Sequence, residues 1–315
     1  MGPSASPRER LHGPALGITR RLLGLFHVTG VFWYRFPHWA FTRLPSWTEA
    51  PSVVVFTAFF FLALTRIRGA VASNLEPVLG KAGRRERWLR SLRTMYSFAW
   101  CYLERYRRLA SPELFHSQLE GERHWRELLA SGRGMVLVTA HVGPWETSAQ
   151  FGAGEAQRTI HVVREEEIDP RAQAFVRSLL TGSGDNCITH FAGDDPRLTL
   201  ELAEALRRGE LVALQGDRPR AGGRCLSVAL FGKPMPLPVG PATLARAAGV
   251  PLVPVFSFRE GRRRIRAVVR APITVTRTRD RDADVAGAVR RLAAEIEWAI
   301  RERPHQWFCF RRLWG

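Results

Sequence analysis

A histidine and a carboxylate stand five positions apart in the run Thr139-Ala140-His141-Val142-Gly143-Pro144-Trp145-Glu146. An imidazole held at one ring nitrogen by a carboxylate can take a proton at the other. The preceding stretch, Gly134-Met135-Val136-Leu137-Val138, is short and apolar and predicts a buried strand. Pro144 suits the first position of a helix. His141 is therefore expected at the end of a strand, with Glu146 in the first turn of the helix that follows. The expected roles are His141 as general base and Glu146 as the group that fixes its tautomer. Backbone N–H groups near Gly143 are candidate donors to an oxyanion.

The surrounding pattern predicts an α/β fold. Past residue 134, apolar runs at 134–140, 159–164, 211–215, 226–231, 252–258 and 264–270 read as strands. They alternate with predicted helices at 145–153, 170–180, 196–208, 240–248 and 283–302. Such alternation argues for a mostly parallel central β-sheet flanked by helices. The last helix carries Val285, Val289, Leu292, Ile296 and Ala299 at helical spacing. Further helices are expected at 84–109 and about 125–130.

The first part of the chain differs in character. Residues 1–18 read as a flexible tail. Residues 19–75 read as an N-terminal membrane-associated helical segment, and 76–315 as the α/β domain. Between Leu22 and Trp47 the chain is rich in aromatics with scattered arginines, a mixture suited to a membrane interface. The uncharged run 50–65 has 16 residues. A span needs about 20, so a helix dipping into one leaflet is expected, with a buried core helix as the plainer reading. Arg66 and Arg68 follow and can meet anionic headgroups.

The net charge of +18 favours an anionic partner, here an anionic membrane surface. Nearly all of it is arginine, since Lys81 and Lys233 are the only lysines. No nucleic-acid motif accompanies it. The four cysteines form no C-x-x-C pair, so neither a structural zinc nor any other metal site is expected, and the setting is expected to be reducing. The first fifteen residues lack an apolar core of the signal-peptide kind.

Four later blocks add to the histidine. Ile160-His161-Val162-Val163-Arg164 ends a strand on a basic residue. Leu211-Val212-Ala213-Leu214-Gln215-Gly216-Asp217-Arg218 is a strand running into what reads as an exposed acidic-basic turn. Phe231-Gly232-Lys233-Pro234 leads to Pro238-Val239-Gly240-Pro241 and a small-residue helix. The chain closes on Pro304-His305-Gln306-Trp307-Phe308-Cys309-Phe310-Arg311-Arg312. In order and spacing these blocks resemble the bacterial lipid A biosynthesis acyltransferases, lauroyl and myristoyl transferases of the lysophospholipid acyltransferase superfamily. The resemblance covers roughly residues 50–315.

The resemblance implies transfer of an acyl chain from an acyl thioester to a hydroxyl or amine of a lipid or glycolipid. The thioester, on acyl carrier protein or CoA, is a co-substrate, and no cofactor is expected. The place implied is the cytoplasmic face of the bacterial inner membrane. The H-x4-D/E pair falls on His141 and Glu146 and the strand-end arginine on Arg164. The late acidic turn, usually Asp-Gln, is Asp217-Arg218 here. Asp217, Arg164 and Arg218 are expected at the substrate, the arginines holding phosphate of donor or acceptor, with surface ion pairing as the alternative. The closing block receives no role. Other readings are a mannolipid or aminolipid as acceptor, a non-catalytic membrane-binding relative, and a hydrolase, which the lack of a G-x-S-x-G elbow weakens. His161 and His190 are expected to be structural.

Overall fold

A computed structural model describes residues 30–146, 157–180, 186–192, 197–220 and 222–314. The expected tail at 1–18 lies outside them, as does the expected 145–153 helix beyond Glu146. The chain opens with helices α1 (Phe32–Arg43), α2 (Glu49–Ala63), α3 (Thr65–Leu79) and the 27-residue α4 (Arg84–Ala110). Then come β1 (His116–Glu120), α5 (Glu122–Ala130), β2 (Met135–Thr139), β3 (Ile160–Glu165), α6 (Pro170–Leu180) and β4 (Cys187–Ala192). These are followed by α7 (Arg197–Arg207), β5 (Leu211–Gln215), β6 (Cys225–Leu230), β7 (Lys233–Pro238) and α8 (Gly240–Ala248). The chain ends with β8 (Leu252–Gly261), β9 (Arg264–Val269), α9 (Arg281–Glu302) and a short 3₁₀ turn, Pro304–Gln306.

Among the described residues seven strands form one sheet, in the order β1-β9-β8-β2-β5-β3-β4. Every neighbouring pair is parallel except the β8–β9 hairpin. β2 lies near the middle with apolar residues buried on both faces, which is why it reads as an unbroken run rather than an alternation. The larger core, including Val136, Val138, Val212, Leu252, Phe256 and Phe258, packs against the Val285-Val289-Leu292-Ile296-Ala299 stripe of α9. The smaller one, including Met135, Leu137, Ile160, Leu211 and Val253, packs against Trp125 of α5. Asp280 caps α9 by accepting the Ala283 N–H at 2.9 Å, so the helix begins at Arg281, slightly ahead of the expected start.

Three strands, β1, β4 and β7, are not among those the sequence pattern predicts. β1 is a polar edge strand, HSQLE. β7 carries Pro234, Pro236 and Pro238, which argue against a strand. They are tolerated because they sit at period two, so every imino nitrogen faces away from the one partner strand, β6.

α4 is the spine of the N-terminal part. Phe41 of α1 and Val53 of α2 pack on its Trp100, Leu103 and Tyr106. The uncharged run does not continue as one helix to residue 65, because the chain bends at Leu64 before α3 begins. Val53, Thr57 and Phe61 bury one stripe of α2, while Val54, Val55, Phe59 and Leu62 stay exposed. Glu49, 1% exposed, is held by Arg262 and Arg263 from the β8–β9 turn at 2.7 and 2.9 Å, which fixes α2 to the sheet.

Candidate active site

The site forms at the carboxyl ends of β2, β5 and β3. β2 and β5 are parallel neighbours in the register Thr139↔Gln215. Two residues further along each chain come His141 and Asp217, so the register itself puts them side by side. His141 Nδ1 lies 2.7 Å from Asp217 Oδ1. Gly216 lets the chain pass close against the core; a Cβ there would stand 2.6 Å from Val138 Cγ1 and 3.2 Å from Leu292 Cδ2.

Asp217 is 3% exposed, the opposite of the exposed turn that its sequence context predicts. Burial alone would raise its carboxyl. The His141 imidazole and the Arg218 guanidinium outweigh that and hold it well below the usual carboxylate range. An ionised carboxylate can only accept, so Nδ1 of His141 carries the proton and Nε2 is the ring's acceptor. This is the tautomer a general base requires. His141 lines a cavity of about 480 Å³, together with Tyr34, Phe98, Tyr102, Arg105, Glu146 and Arg164.

Glu146 does not orient the histidine as expected. Its carboxylate lies between two guanidiniums, 2.6 Å from Arg105 Nη1 and 2.9 Å from Arg164 Nη2. The imidazole's Nδ1 is already taken by Asp217, and two cations compete for Glu146. Burial works to raise the Glu146 carboxyl, but Arg105 and Arg164 bring it below its ordinary value. Arg164 is where the strand-end pattern puts it, on the cavity wall. Arg105 is absent from the sequence-based expectations, although its spacing is a usable signal. It stands three residues beyond Tyr102 on the apolar stripe of α4, and an arginine within such a stripe needs a buried partner.

Arg218 does not line the cavity. Its guanidinium donates to the Phe308 carbonyl and stands 3.7 Å from Asp217 Oδ2. Of the backbone donors expected near Gly143, the Gly143 N–H itself is committed elsewhere, since it donates to the Gln306 carbonyl at 2.8 Å. His161, expected to be structural, has both ring nitrogens engaged. It bonds Glu210 at 2.6 Å and His190 at 2.8 Å near the start of β3.

A second, almost wholly apolar cavity of about 290 Å³ lies among α1, α2, α3 and α4. Phe41, Val53, Phe56, Phe60 and Met95 line it, and it shares Tyr34, Phe98 and Tyr102 with the first. The first residues of α1 are tied to the chain after β3. Tyr34 Oη donates to Glu167 at 2.6 Å, and the Val31 N–H donates to Asp169 at 3.0 Å.

The sequence model of the bacterial lipid A biosynthesis acyltransferase family matches residues 28–315. The chain belongs to this family. Phosphatidylinositol mannoside acyltransferases from two strains of Mycobacterium tuberculosis are each 28% identical to it over 199 residues, 62% of this chain. The match spans 58% of the length of those curated relatives. The crystal structure of the 1-acyl-sn-glycerophosphate acyltransferase PlsC from Thermotoga maritima aligns with 79% of this chain and 98% of its own. It does so at 17% identity and a TM-score of 0.35.

Proposed function

We propose that this family member moves a fatty acyl chain from an acyl thioester to a hydroxyl or amine of a lipid or glycolipid at a membrane surface. The observation that carries the reading is the His141–Asp217 pair on the wall of a cavity that adjoins an apolar one. Nε2 of His141 takes the proton of the acceptor hydroxyl as its oxygen attacks the thioester carbonyl. The tetrahedral intermediate then expels the thiolate, which receives the proton back from the imidazolium. Asp217 stabilises that imidazolium while it exists. Base help of this kind is worth roughly 10²–10⁴ in rate. The acceptor itself attacks, so no protein nucleophile is required, and the acyl thioester is a co-substrate rather than a cofactor.

Arg105 and Arg164, held by Glu146, keep further N–H donors for a phosphate of the donor's pantetheine arm or of the acceptor. The apolar cavity suits the acyl chain. The donor is acyl carrier protein or acyl-CoA, both anionic and matched to the basic chain. The names of the mycobacterial relatives support a phosphorylated mannolipid as acceptor.

The membrane reading rests on the outer face of α1 and α2. Trp39, Val54, Val55, Phe59 and Leu62 are all exposed, as is Trp47 in the turn between the two helices, and large apolar side chains left exposed on neighbouring elements suit a membrane surface. Ser46–Ala63 is apolar and long enough to pass as a membrane span, with 22% of it buried. One stripe of α2 is committed to α4, so the helix is read as lying in one leaflet, on the cytoplasmic face of a bacterial inner membrane. Lipid extracts of a strain lacking the protein test this reading against its parent. An underacylated lipid, restored by the wild-type chain and not by His141→Ala, is the expected result. Identical extracts would overturn it.

A further inference from the structure

The closing block has no role in the chemistry above, yet its backbone lies against the catalytic loop. β8 pairs with β2 only from Leu252 to Pro254, while β8 itself runs on to Gly261. Beyond Pro254 that edge of β8 has outrun its partner. Residues 306–308 take up the position. Val142 and Trp307 form an isolated antiparallel bridge. The Gly143 N–H donates to the Gln306 carbonyl at 2.8 Å, and the Phe308 N–H donates to the His141 carbonyl at 2.9 Å.

The Gln306 side chain fastens this segment to the sheet. The Arg259 N–H donates to Gln306 Oε1 at 2.9 Å, and Gln306 Nε2 donates back to the Arg259 carbonyl at 2.8 Å. Both ends of the amide are used on one residue of β8, which leaves it a single orientation. The loop sits tightly on this junction: a Cβ on Gly143 would stand 2.1 Å from the Ser257 carbonyl oxygen and 2.9 Å from Gln306 Oε1. Arg218 closes the circuit, because it follows Asp217 in the chain and donates to the Phe308 carbonyl.

The geometry points to Gln306 as a positioning residue that hangs 306–308 on the free edge of β8 and so sets the His141 imidazole against Asp217. A misplacement of about 1 Å at a reacting group can cost on the order of 10²-fold in rate. The kinetic side of this inference rests on His141 acting as the base; the hydrogen bond that Gln306 maintains does not.

Full-length Gln306→Met keeps the volume and removes both bonds to Arg259. The measurements are the melting temperature, kcat and KM for transfer from acyl-CoA, and the downfield proton resonance of His141 Nδ1–H. That resonance is assigned by its loss in His141→Ala. The expected result is a folded protein with kcat down about tenfold or more, both KM values within about twofold, and a broadened or shifted resonance. Gln306→Glu keeps the acceptor for the Arg259 N–H and should fall between the two; it carries the test if Gln306→Met does not fold. Cys309→Ala removes a buried group from the same segment and should lower the melting temperature while leaving kcat and the resonance unchanged. A folded Gln306→Met with wild-type kcat and resonance overturns the proposal. So does an equal kcat loss in Cys309→Ala. If the wild type transfers no acyl group, the reading of the function fails, and the resonance alone decides the positioning.

Discussion

His141 and Asp217 are coupled through one short hydrogen bond, while Glu146 serves two arginines, and the two carboxylates should behave differently when neutralised. His141→Ala should remove nearly all transfer in a protein that still folds, because the ring sits on the cavity wall rather than in the core, but its melting temperature should fall, since the buried Asp217 carboxylate loses its main partner. Turnover persisting in a purified His141→Ala sample would remove it from the mechanism. Glu146→Gln strips the counter-charge from two poorly exposed guanidiniums. Breaking such a pair costs about 3–5 kcal/mol when fully buried, so a loss of about 1–3 kcal/mol is expected at this cavity wall. Transfer should weaken mainly through KM, because binding of anionic substrate is what the arginines are read to supply. A fall in kcat with KM unchanged would put Glu146 in the proton-transfer step instead. Acid should also separate the two states of Asp217. Its folded-state value lies below the ordinary 3.8, so its contribution to stability is complete above about pH 4 and lost as pH falls further toward the folded-state value. The gap in melting temperature between wild type and Asp217→Asn should therefore be widest above pH 4 and narrow below it. A gap that widened with acid would contradict the ion pairing.

Gly143 shows how the elements impose the site. Its φ is +59°, and any Cβ at this position would come within 2.1 Å of the Ser257 carbonyl oxygen, so there is room for no side chain. Gly143→Ala should displace the loop and reduce kcat about as severely as removing the base, with a smaller effect on overall unfolding. A kinetic assay beside a denaturant melt would show whether the two separate. The strands that build the floor are legible in the sequence because they are buried apolar runs: 134–140, 211–215 and 252–258 all appear within a few residues of their observed bounds. What one sequence does not contain is their order. Only the pairing of β2 with β5 sets His141 beside Asp217, 76 positions on in the chain, whereas sequence alone points to the nearer carboxylate, Glu146. β7 is hidden by its prolines, and Arg105 by lying on a helix remote in sequence from every block that carries the family pattern.

At the scale of the molecule, the apolar cavity and the exposed face belong to the same helices, α1 and α2, so membrane attachment and access for the acyl chain are expected to be linked. Replacing Val55, Phe59 and Leu62 together by glutamate should abolish sedimentation with anionic vesicles, without disturbing the buried stripe Val53-Thr57-Phe61. The wild type should be only partly released by salt, since screening weakens the arginine contacts and not the apolar insertion. Complete release at moderate salt would mean that charge alone holds it. On the proposed function, acyl transfer by this chain depends, above all, on Asp217 holding His141 in the tautomer that accepts a proton. The most direct measurement is the single-turnover rate of acyl transfer by Asp217→Asn at neutral pH, on protein whose fold is confirmed by its melting curve. A rate lower than wild type by about 10²-fold or more is predicted, in keeping with the 10²–10⁴ that a positioned base supplies. A folded Asp217→Asn that transfers the acyl chain at the wild-type rate would contradict it.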